Sequence, residues 1–279
     1  MDVKQLVVIA LQASVICTVV GFGLKTKTGD LSYLLRRPAL LLRSVVSVFV
    51  VMPIVAVLLA QLFDFAPMVE RALIALAISP MPPLLPQKER KAGGDEDYAL
   101  GLMAILALLA MAVIPLELLI LQKVGGRPLE MASGTVVRVI LISTLLPLGA
   151  GMALRAFMPG LVARIEKPVA TITKVLLPVA LLVLLAAAAP AILALIGNGG
   201  IVIAMVIFLT VGLAVGHTLG RPDPEHSLVL ALSTACRHPA IALSIAAANF
   251  PEASFGAPIL LYVLLGAIVA VPYLAWQRR

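Results

Sequence analysis

The sequence predicts an all-α integral membrane protein of about nine transmembrane helices, and three observations carry that prediction. Of the 279 residues, 62% are hydrophobic, well above the roughly 45–50% of soluble domains. Charged residues make up 13%, about half the usual share of roughly 25%. The apolar residues also gather in continuous runs of about 20, the helix length that crosses a hydrocarbon core about 30 Å thick. Barrel strands would alternate every second residue instead. A soluble fold of this length would leave much of that surface in water, and disordered chains are poor in hydrophobics.

Nine segments reach or approach the spanning length: 6–24, 39–61, 68–86, 98–121, 133–154, 169–189, 200–219, 226–249 and 257–276. The first runs from Leu6 to Leu24, longer than the apolar stretch of a signal peptide. No small-x-small cleavage site precedes Lys25, so it reads as a retained helix. The connections are short, so no extramembrane domain is expected and the lipid bilayer is the main partner.

Basic residues set the orientation, because cytoplasmic loops collect Lys and Arg. Lys25, Lys27, Arg36, Arg37 and Arg43 surround the first loop, and Lys88, Arg90 and Lys91 fill the third. Arg155, Arg164, Lys167 and Lys174 surround the fifth, Arg221 lies in the seventh, and Arg278 and Arg279 end the chain. Those fifteen oppose five on the other side, Lys4, Arg71, Lys123, Arg127 and Arg138. The expectation is a multi-pass protein of the cell membrane, N-terminus outside and C-terminus cytoplasmic. The formal charge of +7 is then largely topological. The basic residues are not interleaved with aromatics, and no nucleic-acid partner is expected. Phe63, Phe65, Tyr98, Phe157, Phe250, Phe255, Tyr273 and Trp276 lie at span ends, as interfacial anchors do, although Phe49 and Phe208 are mid-span.

Single prolines at Pro53, Pro115, Pro147 and Pro178 are ordinary kinks of membrane helices. Two spans are interrupted more severely. The third reads Ser79-Pro80-Met81-Pro82-Pro83-Leu84-Leu85-Pro86, four prolines in seven residues, each lacking a donor and clashing with the turn before it. The eighth reads Ser233-Thr234-Ala235-Cys236-Arg237-His238-Pro239, a charge, an imidazole and a proline inside an apolar stretch. Leu76-Ala77-Ile78-Ser79 aligns with Leu230-Ala231-Leu232-Ser233 at an offset of 154, which also carries the second span onto the seventh. Repeats offset by an odd number of spans lie with opposite topology. The expected organisation is a single transmembrane domain of two inverted repeats, about 1–121 and 133–279.

Paired broken helices in inverted repeats mark secondary transporters, whose site lies near the midplane where the breaks meet. Ser79, Pro80, Met81, Pro82 and Pro83 of the first break are therefore candidate substrate-binding residues. Ser233, Thr234, Arg237, His238 and Pro239 of the second complete the set. A broken helix leaves N–H and C=O groups unpaired, which is costly in hydrocarbon unless water or a ligand meets them. Helix N-termini favour anions. Arg237 adds a full positive charge where arginine costs roughly 2.5–3.5 kcal/mol on insertion scales, and is a functional candidate by that cost. The competing role is to pair with carbonyls freed at the break and hold it together.

Gly23-Leu24, Gly29-Asp30-Leu31, Leu35-Arg36-Arg37-Pro38, Met52-Pro53, Leu146-Pro147, Gly151-Met152, Leu154-Arg155 and Ile245-Ala246-Ala247-Ala248-Asn249-Phe250-Pro251 follow one another in a characteristic order and spacing. In these segments the chain resembles bacterial members of the bile acid:sodium symporter family over nearly its whole length. The resemblance implies two inverted five-helix repeats, here short of one N-terminal helix, with panel and core domains and two helices crossing at their breaks. It implies transport of a small organic anion, a carboxylate or a bile-acid-like solute. The related arsenite exporters carry a cysteine in the first broken helix; Cys17 and Cys236 do not sit there.

The same resemblance locates sodium ligands, and the sequence departs at each. Leu85 and Pro86 stand where sodium-coupled members have a Ser-Asn pair, and Ala99 to Ala112 contains no Ser or Thr for the hydroxyl ligands of the next helix. Ser233 and Arg237 stand where the second break has a Glu and, four residues on, a Gln. Alkali cations want several oxygens, preferably with a carboxylate, and a guanidinium repels them. No metal site or cofactor is expected, and the residues argue against sodium coupling. Arg237 would supply covalently the charge that sodium brings.

His217 and His226 flank a short loop with Arg221, Asp223 and Glu225, most simply a solvated turn. His238 could meet a carboxylate or a loose carbonyl. Cys17 and Cys236 read as buried thiols, and nothing has zinc spacing. Apart from Glu70 at the edge of the third span, Glu117 is the one carboxylate inside a predicted span. Lys88-Glu89-Arg90-Lys91 with Asp95-Glu96-Asp97 reads as a solvated cytoplasmic loop, the alternative being a gate formed by Lys88 or Arg90. Two other functions compete with transport: a membrane sensor that binds without flux, and an intramembrane enzyme using Ser233, Cys236 or His238. No catalytic set can be assembled at membrane depth without carboxylates, so no enzyme is expected.

Overall fold

The computed structural model describes residues 3–25, 32–63, 65–125, 138, 140–197, 199–249 and 255–277. Every regular element among them is a helix: α1 (Val3–Lys25), α2 (Pro38–Leu62), α3 (Pro67–Ile78), α4 (Leu85–Ala92), α5 (Glu96–Gly125), α6 (Leu141–Phe157), α7 (Pro159–Ile196), α8 (Gly199–Gly220), α9 (Pro224–Ala235), α10 (Pro239–Asn249) and α11 (Gly256–Gln277). α2, α5 as far as Leu121, α8 from Gly200 and α11 are each long and apolar enough to cross a membrane alone, and Gln12–Lys25, Leu141–Phe157 and Leu185–Ile196 are shorter apolar stretches. The third and eighth predicted segments are the pairs α3–α4 and α9–α10, split at the two breaks. The start of the fifth, 133–137, lies outside the described residues. So do Lys27, Gly29-Asp30-Leu31, Arg127, Phe250-Pro251, Arg278 and Arg279.

Proline starts many of these helices. Pro38, Pro67, Pro159, Pro224 and Pro239 are each the first residue of one, where the missing N–H is no loss and φ is already helical. Asp223 caps α9 by accepting from the N–H groups of Glu225 and His226. Gly93 closes α4 at φ +97 and donates back to Arg90, a left-handed position suited to glycine. The prolines inside α2 and α6 do more than kink. Each follows a π-helical segment, Ser47–Val51 before Met52-Pro53 and Leu141–Leu145 before Leu146-Pro147. Under i→i+5 pairing the donor to the Val48 carbonyl would be Pro53, which has no N–H.

The helices pack in two groups. α1 lies against α6 and α7, while α2–α5 and α8–α11 enclose the breaks. α1 and α6 cross glycine on glycine: a Cβ on Gly23 would meet the backbone of Leu148 and Gly151, and one on Gly151 that of Val20 and Gly23. Along α8, Gly212, Gly216 and Gly220 lie against the backbone of α9 at Ala235, Leu230 and Ser227. Small residues four apart let membrane helices approach this closely.

One end of the molecule gathers the connections expected on the inner side. Tyr33, in the first, donates to Asp95 Oδ2 at 2.6 Å and bonds His226 Nε2 at 2.7 Å. Burial and the Asp95 carboxylate raise the Tyr33 phenol above its ordinary pKa. Arg43 reaches the Arg221 carbonyl at 3.0 Å, and Arg155 reaches those of Leu24 and Lys25. His226 is thus a partly buried tie between connections, stacked edge-on to Tyr98, and not part of a solvated turn. His217 likewise bonds Tyr273 and meets Trp276 edge-on. Arg164 and Lys167 lie on α7, which begins at Pro159, and not in a loop.

The largest correction concerns the charged run after the first break. Lys88, Glu89, Arg90 and Lys91 belong to α4. Lys88, Arg90 and Lys91 are exposed, but Glu89 is completely buried. α4 continues the broken span and packs along α9, which turns one side of the charged run inward.

Candidate functional site at the crossed helix breaks

The two breaks meet. The backbone N–H of His238 donates to the Pro80 carbonyl at 2.8 Å, a single β-type bond between the interruptions. Around it the four half-helices pair crosswise, α3 against α10 and α4 against α9. The prolines of the first break are responsible: with Pro80, Pro82 and Pro83 unable to donate, Ser79 turns out at ψ 145, and the carbonyls of Ser79 and Pro80 point to the second break. Pro80, Met81 and Pro83 are buried and Pro82 half-buried; Pro82 accepts from the Leu85 N–H at 3.0 Å, making the turn into α4.

Arg237 is 1% exposed. Its Nη1 donates to the Ser79 carbonyl at 3.1 Å and its Nη2 to the Val48 carbonyl at 3.0 Å. One guanidinium thus spans the first break and the π segment of α2, taking the carbonyl that Pro53 leaves without a donor. Its Nε has no hydrogen-bond partner. The remaining freed groups are also met locally. Tyr262 of α11 donates to the Ala235 carbonyl at the end of α9. Ser79 Oγ returns to the Leu76 carbonyl at 2.7 Å. His238 Nδ1 accepts from the Ile241 N–H at 3.4 Å, capping α10 behind Pro239, while its Nε2 is buried without a partner.

The hydroxyls of the second break bond other residues than Arg237. Thr234 Oγ1 bonds Ser47 Oγ of α2 at 2.7 Å. Ser233 Oγ donates to Glu89 Oε1 at 2.7 Å and lies 3.6 Å from the Met81 sulfur. Glu89 Oε2 has no partner, nor does either oxygen of Glu117, a buried carboxylate of α5 within the electrostatic reach of Arg237. The ten candidate residues therefore do come together. The sequence reading missed Ser47 and Val48 of α2, for which Pro53 was the available signal. It also missed Glu89, which the surrounding charges disguise as loop. Glu89 thus joins Glu117 as a carboxylate buried inside the protein among the described residues.

Each break lies between two long helices, α2 and α5 for the first and α8 and α11 for the second, and discontinuous helices recur in secondary transporters. A family model described as "Sodium Bile acid symporter family" matches residues 13–195. The chain belongs to that family. A search of curated proteins returns no match. Members of the sodium bile acid symporter family are transporters, and this one is a multi-pass helical membrane protein.

Arg237 disfavours sodium at the two carbonyls that it holds. The carbonyls of Ser79 and Val48 accept from a guanidinium, and a cation beside them would face a like charge. Thr234 Oγ1 bonds Ser47, and Ser233 Oγ donates to Glu89. Leu85 and Pro86 are buried at the start of α4 and bring no side-chain oxygen.

Proposed function

We propose that this protein is a secondary transporter of organic anions, carboxylates or bile-acid-like solutes, working by alternating access without the sodium ions of its relatives. The observation that carries this is the Arg237 guanidinium bonded to the Ser79 and Val48 carbonyls where the broken helices cross. It puts a permanent positive charge at the place where freed carbonyls would otherwise attract a metal cation. The N-terminal ends of α4 and α10 add partial positive charge from the same region, so the crossing favours an anion. Two inverted repeats, about 1–121 and 133–279, supply the two crossing helices, and α2–α5 with α8–α11 move as a core against α1, α6 and α7.

The test is uptake by proteoliposomes of labelled taurocholate and labelled pyruvate, with and without sodium. Uptake is expected in its absence, and loss is expected in Arg237→Gln. Counterflow of the labelled anion separates a carrier from a sensor that only binds. Strict sodium dependence of the wild type would overturn the proposal.

A further inference from the structure

We propose that Glu89 is a proton-binding residue that couples anion transport to the proton gradient. This rests on the carrier function above and names its driving ion.

Glu89 is fully buried, and among the described residues Glu117 is the other buried carboxylate. Oε1 accepts the Ser233 hydroxyl at 2.7 Å, and Oε2 is bonded to nothing. An ionised carboxylate with one oxygen dry and unpaired is among the costliest groups to bury, and such groups neutralise instead. No basic side chain hydrogen-bonds it among the described residues. Lys88 is exposed on its own helix, and Arg90 turns outward to Glu96 at 3.5 Å. On α5 the nearby titratable group is Tyr98, whose hydroxyl is engaged by Ser44 at 2.8 Å, with Asp95 at the head of that helix held by Tyr33 and by the Tyr98 N–H. From the α9 side, Ser233 touches it and Cys236 bears on it electrostatically, with Arg237 next in sequence.

The chemistry is a reversible protonation. A proton from water adds to an Oε2 lone pair and turns the carboxylate into a neutral acid, and no other bond changes. The Ser233 hydroxyl donates to Oε1 in both forms. The place is what makes this a coupling device. Glu89 belongs to the helix after the first break, and its partner Ser233 lies one turn before Arg237 in the second. Ionised Glu89 adds a buried negative charge to the pair that joins the two breaks and repels an anion at the crossing, whereas neutral Glu89 does not. An alkali cation is the poorer occupant, because the oxygen bonded to Glu89 is one hydroxyl, itself beside the Met81 sulfur, and not a shell of oxygens.

Two measurements test it. Infrared difference spectra of the purified full chain in liposomes, taken between acidic and alkaline buffer, should show a protonated-carboxyl C=O band. The band should be lost in Glu89→Gln and kept in Glu117→Gln, and sodium should not displace it. A spectrum identical in Glu89→Gln, or a band removed by sodium, overturns the proposal. In proteoliposomes an inward proton gradient should accelerate taurocholate or pyruvate uptake in the wild type. Glu89→Gln should lose that acceleration, and Glu89→Asp should keep it at a shifted pH. Counterflow of either anion without any response to the gradient overturns the coupling while leaving the carrier intact. Absence of counterflow for both removes the carrier function, and the infrared result then decides proton binding alone.

Discussion

Arg237 is a structural tie, and under the proposed function it is also the charge that draws the anion. Its two carbonyl partners are buried and lie on different elements, the first break and the α2 π segment. Replacing it by Gln leaves one or both without a donor, at about 1–3 kcal/mol for each unsatisfied group. Arg237→Lys keeps the charge but not the planar fork and should fall between wild type and Gln in a thermal denaturation series. The same charge acts on Glu117 through space, without a hydrogen bond, so a double-mutant cycle of Arg237→Gln with Glu117→Gln should give a coupling at the low end of the range for neighbours, about 0.5 kcal/mol. Equal melting of all four proteins would show that neither contact stabilises the fold. Arg237 and His238 were legible in the sequence because a charge and a proline inside an apolar run are visible without coordinates. Glu89 was not. Its immediate neighbours are all charged, and its burial is decided by helix α9, some 140 residues away in the chain. Local pattern does not contain that packing.

At the scale of elements, apolar run length and proline position foretold most helices, because lipid forces backbone bonds to close within each segment. The π segments escaped that reading: Met52-Pro53 and Leu146-Pro147 announce a disturbance but not whether the helix bends or widens. The glycines were read as parts of a resemblance, although their spacing along α8 has a physical meaning of its own. A Cβ at Gly216 would collide with the backbone at Leu230 and Ala231, whereas one at Gly149 meets nothing within 4 Å. Gly216→Leu should therefore force α8 from α9, lower the melting temperature strongly and displace Ser233 from Glu89. Gly149→Ala should be neutral or stabilising by up to about 1 kcal/mol, from helix propensity alone. Comparable losses in the two variants would refute the close approach as the cause.

For the whole molecule the open quantity is orientation, and here charge and geometry combine. Hydrogen bonds among Tyr33, Asp95 and His226, and between Arg43 and Arg221, gather the first, third and seventh connections at one end. Arg155 ties the end of α1 to the end of α6, in the same set of inner connections by sequence. These connections carry most of the basic residues, and a positive excess is retained on the cytoplasmic side during insertion. α7 agrees with this placement. At 38 residues it is about 57 Å long at 1.5 Å per residue, well beyond a core of about 30 Å, and its overhang near Pro159 carries exposed Arg164 and Lys167. The consequence is measurable in intact cells. With Cys17 and Cys236 replaced by Ala, a single cysteine at exposed Ala66, between α2 and α3, should react with a membrane-impermeant maleimide added outside. One at exposed Lys91, at the end of α4, should react only after the membrane is opened. The reverse pattern would turn the carrier over in the membrane. Net flux would still follow the gradients, but the end that carries Tyr33, Asp95 and Arg221 would then face outside, against the charge bias.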